Sequence, residues 1–298
     1  MNKCHKFAMQ ILVAMAVVLI LVGMAANTIA TSINIDNHFA YGANIGWLDA
    51  RGDVANGAVI GLFYSTGYLY GANVGWISLG SGTPANGHTY ANNSASDWGV
   101  NHVGHGHLRG FAYGANIGWL NFETNGNPRV DLLTGNLDGY VWGANVGWIS
   151  LSNAQAFVQT DFLDLGPDTD GDGIPDAWEM KQVGNLDDLG PYPDDFDGDG
   201  YPDLFEYYAD TNPAKDDSYL RITDLDRSNP TNLVTWTVEP TRVYRLEVAE
   251  SITNGTVWVD SGYDIIAPDA SPTLTRDVVE TNAPHQFFRA IAIVPLQP

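Results

Sequence analysis

Two stretches in the second half of the chain place carboxylate residues at alternate positions. DTDGDGIPDAWE runs from Asp168 to Glu179, and DFDGDGYPDLFE runs from Asp195 to Glu206, 27 residues further on. Each stretch has aspartates at positions 1, 3, 5 and 9, a glycine at position 6 and a glutamate at position 12. Alternate carboxylates on a tight turn, closed by a glutamate with two oxygens, suit the six to eight oxygen ligands that calcium takes. The pattern predicts two calcium loops.

The register of each loop also predicts its ligands. Side chains at positions 1, 3, 5, 9 and 12 and the backbone carbonyl of position 7 would surround each ion. The predicted first set is Asp168, Asp170, Asp172, Ile174, Asp176 and Glu179, and the second is Asp195, Asp197, Asp199, Tyr201, Asp203 and Glu206. Magnesium fits less well because it demands a stricter octahedron and keeps its waters. A solvated acidic linker would explain the composition of this stretch but not the register.

Proline occupies position 8 of both loops, at Pro175 and Pro202. Because proline has no amide hydrogen, the loops cannot form the backbone bridge that joins ordinary paired EF-hand loops at this position. Proline suits the first turn of a helix, so we expect helices over about 175–183, ended by Gly184, and over about 202–208. Glycine and proline just before the loops indicate no preceding helix. The predicted unit is therefore a loop followed by a helix.

Acidic residues concentrate around these loops. Between Asp161 and Asp217 there are 18 acidic residues against Lys181 and Lys215, within a chain of formal net charge −22. A segment like that must bind cations or stay expanded by charge repulsion. The same charge argues against binding to nucleic acid or to an anionic membrane.

The first half of the chain contains four near-copies of one phrase. They are YGANIGWL from Tyr41, YGANVGWI from Tyr70, YGANIGWL from Tyr113 and WGANVGWI from Trp142, and their first glycines are 29, 43 and 29 residues apart. Aromatic and branched residues alternate around a Gly-Ala-Asn centre, which predicts hairpins. We expect Gly143 and Asn145 to take positive backbone dihedrals in the turn.

We expect the hairpins to form a sandwich or a repeat stack, with feeder strands at 59–64, 98–103 and 130–133. Each copy carries a pair of large aromatics, as in Tyr41 and Trp47. We favour the interpretation that these aromatics fill a core between repeats. The alternative is an exposed surface that stacks against sugar rings.

The last part of the chain returns to strand patterning. Turn residues separate six short alternating runs at the spacing of a sandwich. The runs begin at Tyr219, Asn232, Arg242, Thr256, Pro272 and Gln286. The predicted fold class is therefore mainly β, with a repeat β domain at 31–160, a calcium-binding loop-helix segment at 161–217 and an antiparallel β-sandwich at 218–298.

The first thirty residues have a basic start, an apolar run and a small-residue exit at Ala30. This is the pattern of a cleaved signal peptide at 1–30, and an uncleaved membrane anchor is the alternative. Cleavage would remove Lys3 and Lys6 and no acid, which moves the formal charge from −22 to −24. It would also remove Cys4, the one cysteine, so disulfides are excluded from the mature chain. We expect a secreted, extracellular or surface-associated chain, with the periplasm also possible and no membrane span after cleavage.

Two other functional interpretations carry less weight. His102, His105 and His107 could offer imidazoles to zinc or copper, but the stretch leads into Gly110 as a turn would, and we favour the turn. GxSxG, HExxH, P-loop and dinucleotide-binding glycine patterns are absent from the sequence. The best-spaced carboxylates are already assigned to calcium, so we expect no enzyme activity.

Three families share features with this chain. The loop-helix units resemble the thrombospondin type 3-like and dockerin-like, EF-hand-like calcium repeats of secreted bacterial proteins. That resemblance implies a calcium-ordered stalk or docking module, although Ala177-Trp178 and Leu204-Phe205 stand where dockerins carry hydroxyl residues for cohesin recognition. The GANxGW copies resemble the GYAWGENIGWI-like repeats of large bacterial surface proteins, with alanine before the asparagine. The last region is similar to small fibronectin-like β domains.

Together these features predict an exported calcium-binding protein that acts in adhesion, matrix or envelope assembly. Calcium would order the segment between two β modules, and the partner would be a surface protein or a polysaccharide. The alternative is a carbohydrate-binding module that uses the repeat aromatics.

Overall fold

Strands make up most of the regular structure in the described residues. The structure, a computed structural model, describes residues 31–53, 55–228, 230–253, 256–279 and 285–297. The predicted signal peptide at 1–30 lies outside these residues. The described part contains eighteen β-strands, and its two α-helices lie between the β modules. The mainly β class is confirmed.

Each GANxGW copy forms a hairpin, as predicted. The hairpins are β1 (Ile33–Gly42) with β2 (Gly46–Asp49), β3 (Tyr68–Gly71) with β4 (Gly75–Ser78), β6 (His107–Gly114) with β7 (Gly118–Asn121), and β10 (Tyr140–Gly143) with β11 (Gly147–Ser150). Shorter strands accompany them: β5 (Val100–Val103), β8 (Arg129–Val130), β9 (Leu137–Asp138) and β12 (Val158–Thr160). Of the predicted feeder strands, 98–103 and 130–133 overlap β5 and β8, whereas 59–64 makes isolated bridges.

The four hairpins close into a ring. Antiparallel pairing joins β2 to β3, β4 to β6, β7 to β10 and β11 back to β1. Each of these junctions pairs equivalent residues, as in Leu48 with Gly71 and Ile149 with Gly42. We call this eight-stranded closed sheet the hairpin ring. The expectation of a sandwich or a stack was therefore wrong. A closed sheet pairs each of its strands on both sides and leaves no free edge.

Alternation along the strands sends small and branched side chains into the ring. The inward residues are 0–6% exposed; they are Ile45, Leu48, Val74, Ile77, Ile117, Leu120, Val146 and Ile149. The large aromatics take the opposite face and are 38–47% exposed; they are Tyr41, Trp47, Tyr70, Trp76, Tyr113, Trp119, Trp142 and Trp148. The prediction that these aromatics form the core was therefore wrong. The interior of an eight-stranded ring has room for branched aliphatic side chains but not for eight aromatic ones.

The geometry of the hairpin turns accounts for the glycine and the asparagine in each Gly-Ala-Asn centre. A Cβ at Gly143 would lie 2.5 Å from Val146, which packs inward beneath it. Positive φ occurs at the second glycine, +76° at Gly147, and not at Gly143 or Asn145 as predicted. The Asn145 side chain instead donates to the carbonyl of Ile117 in the neighbouring turn at 3.0 Å. Equivalent bonds, all 3.0 Å, join the other three turns through Asn44, Asn73 and Asn116.

The six predicted strands of the last region are all confirmed. They are β13 (Ile222–Ser228), β14 (Thr231–Thr237), β15 (Val243–Ala249), β16 (Val259–Asp260), β17 (Thr273–Val279) and β18 (Phe287–Ile293). They form two antiparallel sheets, β13-β14-β17 and β16-β15-β18. Buried residues of both sheets, including Trp236 and Leu246, share one core, as in a sandwich. We call these strands the C-terminal module.

The helices α1 (Asp176–Gln182) and α2 (Asp203–Ala209) follow the two acidic loops, close to the predicted bounds. Val183 caps α1, and Gly184 follows it with a φ of +81°. Ile174 and Trp178 belong to the same buried cluster as the interior of the hairpin ring. This cluster also includes Val243 of the C-terminal module. The acidic segment is therefore packed against both β modules.

Candidate metal centre

The aspartates at positions 1, 3 and 5 of each loop converge. In both triples one carboxylate oxygen per residue lies within 4.8 Å of the others. The triples are Asp168, Asp170 and Asp172, and Asp195, Asp197 and Asp199. At such separations three carboxylates repel one another unless a cation lies between them. The two loops thus carry equivalent candidate cation sites.

Backbone hydrogen bonds hold the triples in place. The Asp168 carboxylate accepts from the amides of Gly171 and Gly173 at 2.8 and 3.1 Å. Asp195 repeats this arrangement with the amides three and five residues on, at 2.8 and 2.9 Å. Gly173 has a φ of +96°, a conformation that glycine adopts without strain. The glycines therefore turn the backbone around the position-1 carboxylate.

Position 7 is fixed by position 5 in both loops. The amides of Ile174 and Tyr201 donate to Asp172 and Asp199, each at 2.7 Å. The Ile174 side chain is fully buried, which anchors the first loop in the core. Ligation by the carbonyls of these two residues stays a prediction.

The position-9 carboxylates brace the loops. Asp176 accepts from both the amide and the hydroxyl of Thr169, at 2.7 and 2.5 Å. Asp203 accepts from the amides of Phe196 and Gly190, at 2.8 and 3.1 Å. Both oxygens of each carboxylate are thus already used within the segment. Direct contact of Asp176 and Asp203 with an ion stays a prediction.

The position-12 glutamates are the most informative residues of the site. Glu179 and Glu206 are 0% and 1% exposed. Both carboxylate oxygens of Glu179 and one of Glu206 are buried without a hydrogen-bond partner, as is one oxygen each of Asp172, Asp197 and Asp199. A buried carboxylate that lacks a partner is costly unless it is paired or coordinates a metal. The donor set is all oxygen, so it fits calcium, a hard cation.

Burial and neighbouring negative charges raise the pKa values of both position-12 carboxyls. Burial, followed by the charges of Asp172 and Asp170, raises the pKa of Glu179 to about 8. Burial and the charges of Asp197 and Asp199 raise the pKa of Glu206 to about 8 as well. The cause is the same at both sites: negative charge is buried beside negative charge. A bound divalent cation would reverse this effect.

An aromatic contact joins the two helices that follow the loops. Trp178, fully buried on α1, meets Tyr207 of α2 edge to face with ring centroids 5.6 Å apart. Each of these residues is next to a position-12 glutamate in sequence. The contact therefore joins the two helices that carry the position-12 glutamates.

Sequence reasoning missed Asp210, which joins both helices to the C-terminal module. Its carboxylate accepts from the indole of Trp178 at 2.7 Å, from Lys181 at 3.1 Å and from the hydroxyl of Thr241. Although burial alone would raise the pKa of Asp210, the cations of Arg242 and Lys181 and the donated bonds hold it below its ordinary value. An acid just after a helix opposes the helix dipole, and that placement was the available signal.

Arg242 completes this junction. It is 1% exposed and donates to the carbonyls of Tyr207 and Tyr208, at 2.6 and 2.9 Å, at the end of α2. The Tyr208 carbonyl is one that the helix end leaves without a backbone partner, and the Tyr207 carbonyl also accepts from the amide of Asp210. Asp210 and Arg242 together attach the second calcium loop to the C-terminal module.

Among the described residues, the groups that could share a metal ion do not include His102, His105 and His107. His105 lies in a 3₁₀ turn, Gly104–Gly106, which agrees with the favoured interpretation as a turn. His102 is buried, with Nδ1 3.0 Å from the carbonyl of Gly61. Within the described residues, the acidic and histidine groups close enough to share an ion are the two aspartate triples.

The loops and their exit helices define a calcium-binding segment of the extracellular type. Residues 168–184 and 195–215 match the family model of the bacterial TSP3 repeat. Comparison with curated proteins gives no match, and comparison with solved structures gives none either. Across the described ranges, the helices are too short to cross a lipid bilayer.

Proposed function

We propose that this chain is an exported, non-catalytic protein of the cell surface or extracellular matrix, with a calcium-ordered connection between two β modules. One observation carries the proposal: the buried, unpartnered oxygens of Glu179 and Glu206 lie on helices that contact both modules. Filling the two sites would fix the helices and, through them, the relative position of the modules. A rigid arrangement of this kind suits adhesion or envelope assembly, with a surface protein or polysaccharide as partner.

The strength of the effect can be bounded. Extracellular modules of this kind bind calcium with dissociation constants of roughly 0.1 to 1 mM. Millimolar calcium then adds about 0.4 to 1.4 kcal/mol per site. This is enough to order the segment but not to rescue an unfolded domain.

Limited proteolysis tests the proposal. Cleavage within residues 168–206 should slow when calcium is added to chelated protein, while cleavage elsewhere stays unchanged. Calorimetry provides the second readout, because Asp172→Ala combined with Asp199→Ala should abolish two binding sites. Identical cleavage with and without chelator would refute the proposal.

Carbohydrate binding is the second candidate function, and the exposed aromatics support it. Each hairpin carries three outward-facing aromatic residues, which we call a triplet. In each triplet the ring centroid of the second-strand tryptophan lies 4.8–4.9 Å from the centroid of one neighbouring ring and 6.1–6.3 Å from that of the other. The triplets are Phe39, Tyr41 and Trp47; Tyr68, Tyr70 and Trp76; Phe111, Tyr113 and Trp119; and Tyr140, Trp142 and Trp148. Exposed aromatic surface on this scale marks an interaction site. A glycan array tests this candidate directly, since the absence of any binder would reject it.

A further inference from the structure

We propose that a cleft beside the fourth hairpin is the sugar-binding site of this chain, an inference that rests on the second candidate function above. The cleft has a volume of about 210 Å³. Its lining is Asn121, Glu123, Asn125, Gly126, Trp142 and Trp148. An aromatic floor with a few polar groups on one wall is the composition of a site that binds and orients a small polar ligand.

The floor is formed by two indole rings. Trp142 and Trp148 are 42% and 46% exposed, and their centroids lie 4.9 Å apart at an interplanar angle of 59°. Aromatic faces carry partial negative charge and attract groups with partial positive charge. The C–H groups on one face of a pyranose ring are such groups. The two rings can therefore hold a sugar on adjoining faces.

The wall of the cleft is preformed by the turn Thr124–Gly126. A Cβ at Gly126 would lie 1.8 Å from the carbonyl oxygen of Tyr140 and 3.1 Å from the Trp148 ring. Because Gly126 has no side chain, the turn packs directly against the hairpin and the indole. A ligand that enters the cleft meets a wall that needs no further ordering, which lowers the entropic cost of binding.

Polar groups on the wall are oriented and still available. The side-chain oxygen Oδ1 of Asn121 accepts from the backbone amide of Glu123 at 2.6 Å, and one carboxylate oxygen of Glu123 accepts from the backbone amide of Gly110 at 3.1 Å. Within the described residues, the other Glu123 oxygen and the side-chain NH₂ groups of Asn121 and Asn125 have no hydrogen-bond partner. A hydroxyl both donates and accepts. A carboxylate beside amide donors thus matches a sugar with several hydroxyls.

The third hairpin shows that a triplet alone does not make such a site. There Trp98 packs edge to face on Trp119, with centroids 5.0 Å apart, and lies 6.1 Å from Tyr113. A protein ring therefore occupies the surface that a ligand would use. On the fourth hairpin the corresponding surface borders the cleft.

Charge and size narrow the ligand class. The ionisable residue in the lining is Glu123, and the whole chain has a formal charge of −22, so acidic glycans are disfavoured. The cleft is smaller than the roughly 300–1,000 Å³ of sites that enclose a whole ligand. We therefore assign one sugar ring to the cleft, with the rest of an uncharged polysaccharide running over the surface.

The test compares matched variants of the full chain in calcium. A glycan array with uncharged, acidic and amino sugars identifies a binder, and calorimetry with that oligosaccharide follows. Glu123→Gln keeps the acceptor for Gly110 and should weaken binding at least about tenfold, as should Trp148→Ala. Trp76→Ala is the control, since Trp76 holds the same place in the second hairpin and is 45% exposed. It should weaken binding less than about twofold.

The outcomes separate this inference from the function on which it rests. Binding that survives Glu123→Gln and Trp148→Ala but is lost in Trp76→Ala would overturn the cleft and leave carbohydrate binding standing. A preference for acidic glycans would overturn the assigned ligand class. An array without any binder would overturn both the cleft and the second candidate function.

Discussion

Replacing Glu179 and Glu206 by glutamine should stabilise the calcium-free protein. Both glutamates have a pKa of about 8 in the fold against an ordinary 4.5, so at pH 7 each takes up a proton on folding. That uptake costs about 3 kcal/mol per residue. Glutamine is neutral and of similar shape, so it avoids the cost. In calcium the order should reverse, because a single neutral oxygen replaces a bidentate carboxylate.

Hydrogen exchange of α1 and α2 measures the effect locally. In the presence of chelator, the backbone amides of a helix whose glutamate is replaced by glutamine should exchange roughly 100-fold more slowly than the same amides of the wild type. Added calcium should slow exchange in the wild type but not in the double variant. Glu250→Gln is the control, since Glu250 is exposed and lies outside the acidic segment. Faster exchange in the chelated glutamine variants would refute the reasoning.

The sign of the pH dependence follows from the same values. A raised folded pKa means that the calcium-free fold binds these protons more tightly than the unfolded chain does. Stability is therefore full below about pH 4.5 and is lost as the pH rises to about 8. Calcium should abolish this loss, because the bound ion replaces the protons. Exchange rates corrected for their intrinsic pH dependence provide the check.

Three further predictions concern other parts of the fold. Asp210→Asn should lower the free energy of unfolding by about 3 kcal/mol, because it leaves the buried charge of Arg242 less compensated. Urea unfolding measures this change. A loss as small as that caused by Asp187→Asn, at an exposed position, would contradict the prediction. Burial lowers the pKa of His102 to about 4, so stability present above pH 6.5 should fall by up to about 3 kcal/mol as the pH drops to 4. His102→Gln should remove that part of the pH profile, and superimposable melting curves at each pH would contradict this. Asn116→Ala should lower the free energy of unfolding by about 1 kcal/mol, since it removes the hydrogen bond to the carbonyl of Val74. Equal urea midpoints for variant and wild type would count against a structural role for the asparagines.

The calcium loops were readable from sequence because a metal site depends on residue type at fixed spacing. The helices that leave the loops were predicted because proline and glycine mark both ends. The six strands of the C-terminal module followed from local alternation. In each case the necessary information lies within about a dozen neighbouring residues.

The hairpin ring was not predictable in the same way. Closure depends on the pairing of the last strand of the ring, β11, with the first, β1, and local patterns carry no information about it. The alternation of residue types along a strand also indicates that its two faces differ, but it does not indicate which face points into the ring. Trp47 and Leu48 both look like core residues, and only the narrow interior of the ring decides for Leu48. Asp210 was missed because its partners Trp178 and Arg242 are distant in sequence.

The four asparagine bonds between turns have a consequence for how such a chain can evolve. Each turn of the hairpin ring depends on the next, and the last on the first. If a chain with one copy more or fewer failed to close its ring, a donor and a carbonyl would be left without partners and two strand edges would be open to aggregation. A change in copy number therefore requires the ring to close again around an interior of a different size, whereas the connections between hairpins can lengthen, as the 43-residue spacing shows. New specificity would then arise from the connections, such as the turn Thr124–Gly126, while the copies themselves stay nearly identical.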